Sequence, residues 1–430
     1  MDPDSRQPDQ EGPLQGLSQA GRRPARLRRP AGRRRRLPGR RRRAARHRLR
    51  QLCNGGNDSS LHPSREPDHL QYFGGYGRHS RKERPRMIRI GIIGLGFMGR
   101  AHLENYIRLA KEGVAVQVAA ICDADPAKLR GEGGGGNLDA GTSQLDLSSF
   151  SLYTSLQEML DKEQLDAVDI ALPTHLHRSV TVMCLEEGLH VLCEKPMASN
   201  VAECLEMLQA SERTGKSLMI GQCLRFWPAY VYLRDLIAEG TYGKPTYAYF
   251  YRGGGTPDWG PWVLQKDKGG GALLDMHVHD TDVVNWLFGM PEAVSTQAAN
   301  VIPGSGYDIV STHYRYGGGE VVHSQVDWTL NGDFGFEMGF RVNFERGNVQ
   351  FSGGAVKVNP NDAPGFEAVL ADDQGYYYEL KYFVEKLLAG EPIEEAHPVS
   401  TMSTIAIVEA ELASADKRGE WVSLAGAAVK

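Results

Sequence analysis

The stretch that most constrains the fold of this chain is MIRIGIIGLGFMG, residues 87–99. Residues 87–93 form a short run rich in β-branched side chains, which is typical of a strand buried in a parallel sheet. The run passes directly into the sequence G-x-G-x-x-G, and helix-compatible residues follow at 98–110. The pattern therefore predicts a strand, a tight turn and a helix, in that order.

Each residue of the glycine turn has a physical reason to be there. Gly94 permits the tight turn, Gly96 lets a pyrophosphate approach the backbone, and Gly99 lets the helix pack closely on the strand. Phe97 and Met98 begin the helix, whose free N–H groups and positive dipole end attract phosphate oxygens. Gly94, Gly96, Phe97, Met98 and Gly99 are therefore predicted to bind a dinucleotide cofactor.

A second strand, predicted over residues 114–123, ends at Asp123, 24 residues beyond Gly99. A carboxylate at that strand end accepts hydrogen bonds from the diol of an adenosine ribose and repels a 2′-phosphate. This position favours NAD over NADP as the cofactor. The alternative is that Asp123 is only a turn residue at the end of the strand.

Strand and helix patterns keep alternating up to about residue 222, which predicts an α/β fold with a doubly wound parallel sheet. A glycine-rich segment, residues 131–149, is expected to be a mobile loop. Ligands bind such sheets at the carboxyl ends of the strands. Two sets of residues follow strands and are predicted to face the cofactor, namely Pro173 with Thr174 and Glu194 with Lys195.

Residues 225–430 predict a second, α+β domain. Several runs with strand character lie between residues 246 and 353 and indicate an antiparallel sheet, and amphipathic helices are expected near 376–388 and 401–415. Trp259, Trp262 and Trp328 have the flat apolar surface that stacks on a sugar ring, although packing in the core explains each of them equally well.

The segment DMHVHDTD, residues 275–282, concentrates two histidines and three aspartates. Residues 273–288 predict a helix that ends at Gly289. Asp275 and His279 are four residues apart and share one face of that helix, and Asp282 can share it too. His277 and Asp280 lie elsewhere around the helix, and the H-x-x-x-H spacing of zinc sites is absent, so no metal site is predicted.

Residues 1–86 differ sharply in charge from the remainder of the chain. They carry 23 Lys+Arg and 8 Asp+Glu, a formal charge of +15, whereas the rest carries −19. This segment has too few apolar side chains to offset the conformational entropy lost on folding, so we expect it to be disordered. Binding of nucleic acid is one interpretation. The preferred one is that translation starts at Met87 and residues 1–86 are an extension from a misplaced start, so no nucleic-acid partner is expected for the folded body.

Several classes of protein are disfavoured by the rest of the composition. No apolar run approaches the ~20 residues of a membrane helix, and no apolar segment of a signal peptide follows the arginines. The six cysteines form no C-x-x-C pair. Their use as single, mostly apolar-flanked residues is typical of a cytoplasmic protein with reduced thiols.

Taken in order, GLGFMG, the strand-end Asp123, PTHLH, VLCEKP and GGGALLDMHVHD make the chain similar to the glucose–fructose oxidoreductase / inositol dehydrogenase / MocA family. The resemblance covers essentially all of residues 87–430. It implies a Rossmann domain at 87–224 that binds a nicotinamide dinucleotide, and a domain at 225–430 whose large open antiparallel sheet binds substrate and commonly builds homodimers or homotetramers.

The resemblance also implies roles for individual residues. Lys195 of the E-K-P motif matches the active-site lysine, and the D-x-x-x-H pair Asp275 and His279 matches two substrate-side residues. His177 matches a histidine near the nicotinamide, although the turn before it is Pro173-Thr174 here. His277 stands where a glycine is common, and it is expected to line the substrate pocket.

The leading hypothesis is an NAD(P)-dependent oxidoreductase acting on a CH–OH group of a sugar, cyclitol or related polyol. In this hypothesis His279, with an ordinary pKa of about 6.5, is the general base, and Lys195 stabilises developing charge on the substrate oxygen. One alternative is a glycoside hydrolase that holds NAD for transient oxidation. Another is a non-catalytic sensor of dinucleotides, against which the joint presence of Lys195, Asp275 and His279 argues.

Overall fold

The computed structural model describes residues 87–132, 146–258 and 260–424. The arginine-rich segment 1–86 lies outside the described residues, and so do most of the predicted glycine-rich loop (133–145), Trp259 and residues 425–430. The predictions made for these segments are therefore left as predictions.

Six strands in the first half of the described chain form one parallel sheet, in the order β3-β2-β1-β4-β5-β6. This is the strand order of a doubly wound dinucleotide-binding sheet, so the predicted fold class is confirmed. The order reverses next to β1, which places a ligand crevice at the carboxyl ends of β1 and β4. The strands are β1 (Ile88–Ile93), β2 (Val116–Cys122), β3 (Ser151–Tyr153), β4 (Ala167–Ile170), β5 (His190–Glu194) and β6 (Leu218–Gly221).

The helices between these strands begin and end at recognisable signals. Asn200 caps the helix α5, because its side chain accepts a hydrogen bond from the N–H of Glu203. The same helix ends at Gly215, which has a left-handed backbone that glycine tolerates best. The helices are α1 (Phe97–Lys111), α2 (Pro126–Leu129), α3 (Leu156–Lys162), α4 (Thr174–Glu186) and α5 (Val201–Thr214).

Nine strands of the second half form a single sheet, ordered β14-β13-β12-β11-β7-β10-β9-β8-β15. All neighbours pair antiparallel except β7 and β10, which are parallel. Alternate residues such as Phe250, Phe340 and Val342 form the buried face. The strands are β7 (Pro245–Gly254), β8 (Ala293–Ala299), β9 (Ile309–Arg315), β10 (Val321–Asp327), β11 (Phe336–Phe344), β12 (Gly347–Ser352), β13 (Ala355–Pro360), β14 (Phe366–Glu367) and β15 (Val422–Ser423).

The helix predicted over 273–288 is interrupted at Met276 and His277, so that it forms two helices, and it ends at Gly289 as expected. A later helix, α10, packs its Leu380 and Phe383 with Ile88 and Leu103 of the parallel-sheet half. The helices of this half are α6 (Pro228–Glu239), α7 (Lys266–Gly269), α8 (Gly271–Asp275), α9 (Val278–Phe288), α10 (Gly375–Ala389) and α11 (Pro398–Asp416).

The part of the chain that is described contains no helix with both the length and the apolar character needed to span a lipid bilayer.

Candidate active site

A cleft of about 590 Å³ opens at the carboxyl ends of β1, β2, β4 and β5, and α8, α9, β7 and β11 close its other side. Eleven of the residues predicted from the sequence line it: Gly94, Gly96, Phe97, Met98, Asp123, Pro173, Thr174, Glu194, Lys195, Asp275 and His279. Residues from both sheets thus meet around one cavity, large enough for a ligand of cofactor size.

The glycine turn at one end of the cleft depends on the absence of side chains at Gly94 and Gly99. Gly94 has φ +98°, and a Cβ atom there would lie 2.3 Å from the carbonyl oxygen of Ala171. A Cβ atom at Gly99 would lie 1.9 Å from the carbonyl oxygen of Gly94, so Gly99 supports the turn from behind and does not line the cleft. A Cβ atom at Gly96 would meet nothing within 4 Å, which leaves the backbone open to a pyrophosphate at the N-terminus of α1.

Asp123 lies beside this turn with its carboxylate already engaged. One oxygen accepts the N–H of Leu95 at 2.8 Å, the other accepts the N–H of Asp125 at 2.8 Å, and Lys128 Nζ lies 3.2 Å from the first. The carboxylate therefore braces the turn, and Asp123 also lines the cleft. Lys128 also lines the cleft, and the sequence motifs gave no reason to single it out.

His177, expected near the nicotinamide, does not line the cleft. Its ring is buried, with Nδ1 2.8 Å from the carbonyl oxygen of Pro196 and Nε2 2.7 Å from that of Leu172. Burial lowers the pKa of His177. The side chain ties the segment after β4 to the turn that carries Lys195, which is a supporting position behind the cleft wall.

Lys195 extends from the end of β5 to the segment that carries Asp275. Its Nζ donates to the carbonyl oxygen of Asp275 at 2.7 Å and lies 3.3 Å from a carboxylate oxygen of the same residue. Both side chains are mostly buried, with 15% and 12% exposed. The ammonium is thus fixed in the cleft by two oxygens, and it has a further N–H to offer to a ligand.

His279 lines the same cleft as Lys195. Burial, and then the positive charges of Lys195 and Arg252, lower the pKa of His279 well below 6.5. Its Nδ1 is buried and has no hydrogen-bond partner among the described residues. The ring is therefore neutral at physiological pH, which is the form that accepts a proton.

The two histidines and three aspartates of residues 275–282 separate in space. Asp275 contacts Lys195, and His279 faces the cleft, but His277 points into a buried polar cluster. Its Nε2 lies 3.2 Å from Thr312 Oγ1 and 3.3 Å from the Ser324 hydroxyl. The expectation that His277 lines the substrate pocket is wrong, because the break at Met276–His277 turns its ring toward the sheet.

Asp280 and Asp282 are each paired with a buried arginine. Asp280 accepts from Arg252 Nε at 2.8 Å, and Asp282 accepts from Arg225 Nε at 2.8 Å and Nη2 at 2.7 Å. Asp282 therefore does not join His279 in the cleft. Within the ranges that the structure describes, no three His, Cys, Asp or Glu side chains are grouped so as to hold a metal ion.

Some cleft residues carry no recognisable sequence motif. Arg252, on β7, lines the cleft while its guanidinium is bound to Asp280. Phe336 and Tyr376 add aromatic surface to the lining, and so does Trp262, which was named from the sequence as a candidate for stacking on a sugar ring. Trp328, in contrast, is a core residue whose indole N–H donates to Asp308 at 2.8 Å, so it cannot stack on a ligand in the cleft.

Comparison with known proteins decides the family. Residues 88–222 match a family model described as "Oxidoreductase family, NAD-binding Rossmann fold", and residues 230–350 match the "GFO/IDH/MocA C-terminal domain". The chain belongs to the Gfo/Idh/MocA oxidoreductase family. This confirms the resemblance noted in the sequence, and the description of the first model agrees with the predicted cofactor, NAD.

Among Gfo/Idh/MocA relatives, the rhizopine catabolism protein MocA of Rhizobium meliloti is 30% identical over 202 residues, 47% of this chain and 57% of that protein. Inositol 2-dehydrogenase of Salmonella paratyphi B is 27% identical over 207 residues, 46% of this chain and 54% of the enzyme. The chain thus spans about half the length of the curated relatives that it matches.

The fold agrees with solved structures of the family. Levoglucosan dehydrogenase, in complex with NADH and levoglucosan, superimposes with a TM-score of 0.68 at 23% sequence identity. The superposition covers 79% of this chain and 99% of that one. At this level of identity the likeness establishes the shared fold alone.

Proposed function

We propose that this protein is an NAD-dependent dehydrogenase that oxidises a CH–OH group of a sugar, cyclitol or related polyol, or reduces the corresponding ketone. The observation that carries the proposal is a fixed lysine ammonium, Lys195, in one cleft with a neutral histidine, His279, and a glycine turn whose backbone is open at Gly96. The relatives named inositol 2-dehydrogenase and D-apiose dehydrogenase support the same class of substrate.

The cofactor would be held at the glycine end of the cleft. The N–H groups at the start of α1 would bind its pyrophosphate, and Asp123 would accept from its adenosine ribose. The carboxylate of Asp123 disfavours a 2′-phosphate, which supports NAD over NADP. Pro173, Thr174 and Glu194 line the cleft between the turn and Lys195, where the nicotinamide would lie. When bound, the nicotinamide supplies the acceptor for a hydride.

Lys195 and His279 divide the chemistry of the hydroxyl group between them. The ammonium of Lys195 donates a hydrogen bond to the substrate oxygen and stabilises the negative charge that develops on it. His279 takes the hydroxyl proton as the carbon loses its hydride, and a ketone results. Asp275 holds the lysine in place through two oxygen atoms. Reduction of a ketone uses the same groups in reverse.

The substrate end of the cleft is suited to a ring that bears hydroxyl groups. Trp262, Phe336 and Tyr376 offer apolar surface to the C–H faces of such a ring. Arg252, Asp275 and Lys195 offer hydrogen bonds to its hydroxyl groups. A small number of polar groups on a mostly apolar wall is the usual composition of a small-molecule site.

The proposal is tested by a panel of sugars, cyclitols and polyols, with the formation of reduced nicotinamide followed by absorbance and with NAD and NADP in parallel. We expect turnover with at least one compound and a higher kcat/KM with NAD. Cleavage of a glycoside without net NADH formation would instead identify the hydrolase alternative. Binding of NADH with no turnover on any compound would identify a sensor.

The lowered pKa of His279 predicts the pH dependence of the reaction. The neutral ring is the active base, so kcat/KM for oxidation falls as the pH drops through the pKa of His279, and the midpoint of that acid limb lies below pH 6.5. Replacing His279 with asparagine should lower kcat by about 10²- to 10⁴-fold and abolish the limb. A pH–rate profile measures both effects.

The control is Asp161→Asn, which changes an exposed titratable residue on α3 and should leave the profile unaltered. A limb that persists in the His279→Asn variant would assign the base to another group.

Two further predictions stay proposals. Five cysteines of the described chain are free and buried, which suits a reducing compartment, and we propose the cytoplasm. We also propose that the nine-stranded sheet builds a homodimer or homotetramer, to be checked by light scattering after gel filtration.

A further inference from the structure

Four titratable side chains that the proposed reaction does not use as acid or base lie together beside the wall of the cleft. They are His102 of α1, Asp169 of β4, Glu194 of β5 and Glu379 of α10, and we refer to them as the buried carboxylate cluster. Glu194 is 5% exposed and the other three are fully buried. Three carboxyl groups around one imidazole, away from water, require a specific distribution of protons.

His102 bridges two of the carboxylates. Its Nδ1 lies 2.9 Å from an oxygen of Asp169, and its Nε2 lies 3.1 Å from Oε1 of Glu194. The contact between His102 Nε2 and Glu194 Oε1 has the distance of an ion pair but is not a well-aligned hydrogen bond. A neutral ring has one N–H and one lone pair, so it would direct a lone pair at a carboxylate oxygen. A ring protonated on both nitrogens avoids that contact, so the geometry favours the imidazolium.

The surroundings of His102 support the same state. Burial disfavours the charged ring, but the charge and hydrogen bond of Asp169, and then the charge of Glu194, outweigh it and raise the pKa of His102 well above 6.5. Tyr106 donates its hydroxyl to Asp169 at 2.9 Å, and the ring of Tyr376 lies 6.4 Å from that of His102. These are the titratable groups that the packed elements direct at the ring, together with Glu379.

Glu194 connects this ring to the catalytic lysine. Its Oε2 accepts the main-chain N–H of Lys195 at 3.0 Å, while Oε1 faces His102. A Cβ atom at Gly221 of β6 would lie 3.3 Å from the carboxyl carbon of Glu194, so glycine leaves the space that this side chain occupies. Burial opposes ionisation of Glu194, but His102 and then Lys195 lower its pKa overall.

Glu379 completes the cluster as a neutral acid. Both of its oxygens are buried, and neither has a hydrogen-bond partner among the described residues. Burial, and then the charge of Glu194, raise the pKa of Glu379 well above its ordinary value. Within the cluster, His102 is thus an imidazolium, Glu194 is ionised and Glu379 is protonated.

We propose that His102 is a positioning residue, whose imidazolium holds Glu194 ionised and in place so that Glu194 fixes the backbone of Lys195 in the cleft. The expected effect on activity rests on the proposed function, whereas the expected charge state of His102 does not. The link also joins α1, which begins at the phosphate-binding turn, to the strand that carries the catalytic lysine.

The charge state is tested on the wild-type protein labelled with ¹⁵N-histidine. We expect one of the 13 histidines to keep the ¹⁵N shifts of an imidazolium at pH 8, and that signal to be absent from His102→Gln. If no histidine shows an imidazolium signal above pH 7.5, the proposal is overturned, whether or not a substrate has been found. The measurement also stands if the variant does not fold.

Stability against pH gives a second readout without substrate. Because the pKa of His102 is raised in the folded state, its charge stabilises the folded protein fully below pH 6.5. This contribution is lost as the pH rises through the folded-state pKa. The melting temperature of the wild type should therefore fall more steeply above pH 6.5 than that of His102→Gln. Equal slopes would contradict an imidazolium at this position.

The positioning role is tested by kinetics once a substrate is known. His102→Gln should lower kcat about 10- to 100-fold while the dissociation constant of NADH changes less than threefold. Asp161→Asn, at an exposed residue of α3, is the control and should behave as wild type. An unchanged kcat, together with a confirmed imidazolium, would reduce His102 to a structural residue and overturn the positioning role.

The variant Glu379→Gln tests whether the carboxyl group of Glu379 carries a proton in the folded protein. Glutamine has the shape and charge of the neutral acid, so the melting temperature at pH 7 should change little. A marked rise in melting temperature would show that Glu379 is ionised in the wild type, and it would overturn the proposed charge distribution.

Discussion

Replacing Lys195 with methionine should reduce kcat for oxidation of the substrate hydroxyl by on the order of 10³-fold. Methionine retains most of the aliphatic stem and removes the ammonium, which is the group proposed to stabilise charge on the reacting oxygen. The effect is expected to be large because the ammonium is held by two oxygens of Asp275 before substrate arrives, so it needs no reorganisation during the reaction.

The same variant should still bind NADH, with a dissociation constant within about threefold of the wild type, because the glycine turn and Asp123 lie at the other end of the cleft. Fluorescence titration measures binding, and steady-state kinetics measures turnover. Lys417→Met, at an exposed lysine beyond the end of α11, is the matched control. Wild-type turnover in Lys195→Met would refute the proposed chemistry, and lost NADH binding would move the lysine into the cofactor site.

The parts of the site that the sequence could predict are those encoded locally. The strand, turn and helix at 88–111 follow from adjacent residues. At positions 94 and 99 only glycine fits, because a Cβ atom there would collide with backbone. Lys195 was found because the carboxyl end of a parallel strand faces ligand wherever that strand lies in the sheet. In such cases the position along one element determines the direction of the side chain.

The parts that the sequence could not predict depend on pairings across the fold. His102 is unremarkable on α1 until β4 and β5 place carboxylates on both sides of its ring. His177 was assigned to the cofactor because of a motif, but its ring is held behind the wall by the carbonyl groups of Leu172, after β4, and Pro196, after β5. The two-residue strands β14 and β15 are too short for their side-chain pattern to distinguish them from loops.

The aspartates of residues 275–282 illustrate the same limit. Helical spacing alone allowed Asp282 to share a face with His279, and nothing in the spacing revealed that buried arginines were available as partners. Arg225 lies 57 residues before its partner Asp282, and Arg252 lies 28 residues before its partner Asp280. Once each arginine is buried, its carboxylate partner is required for charge balance and is no longer free for a ligand.

That requirement predicts a large effect on stability. Asp282→Ala should destabilise the protein by about 3 kcal/mol, because it leaves the guanidinium of Arg225, 3% exposed, without its two-pronged partner. Of the acidic groups in the described chain, only Glu395, 3.8 Å from the guanidinium, is then left to balance the charge. Thr404, whose hydroxyl donates to the Asp282 carboxylate at 2.8 Å, also loses an acceptor. The apparent melting temperature should fall by on the order of 10 °C.

The control variant is Asp362→Ala, an exposed aspartate whose loss should shift the melting temperature by less than about 1 °C. The double variant Arg225→Met, Asp282→Leu removes both charges and should be more stable than Asp282→Ala, since no unpaired charge stays buried. If the double variant is instead less stable than the single one, the ion pair itself, and not the penalty of an uncompensated arginine, holds α9 against the segment that follows β6.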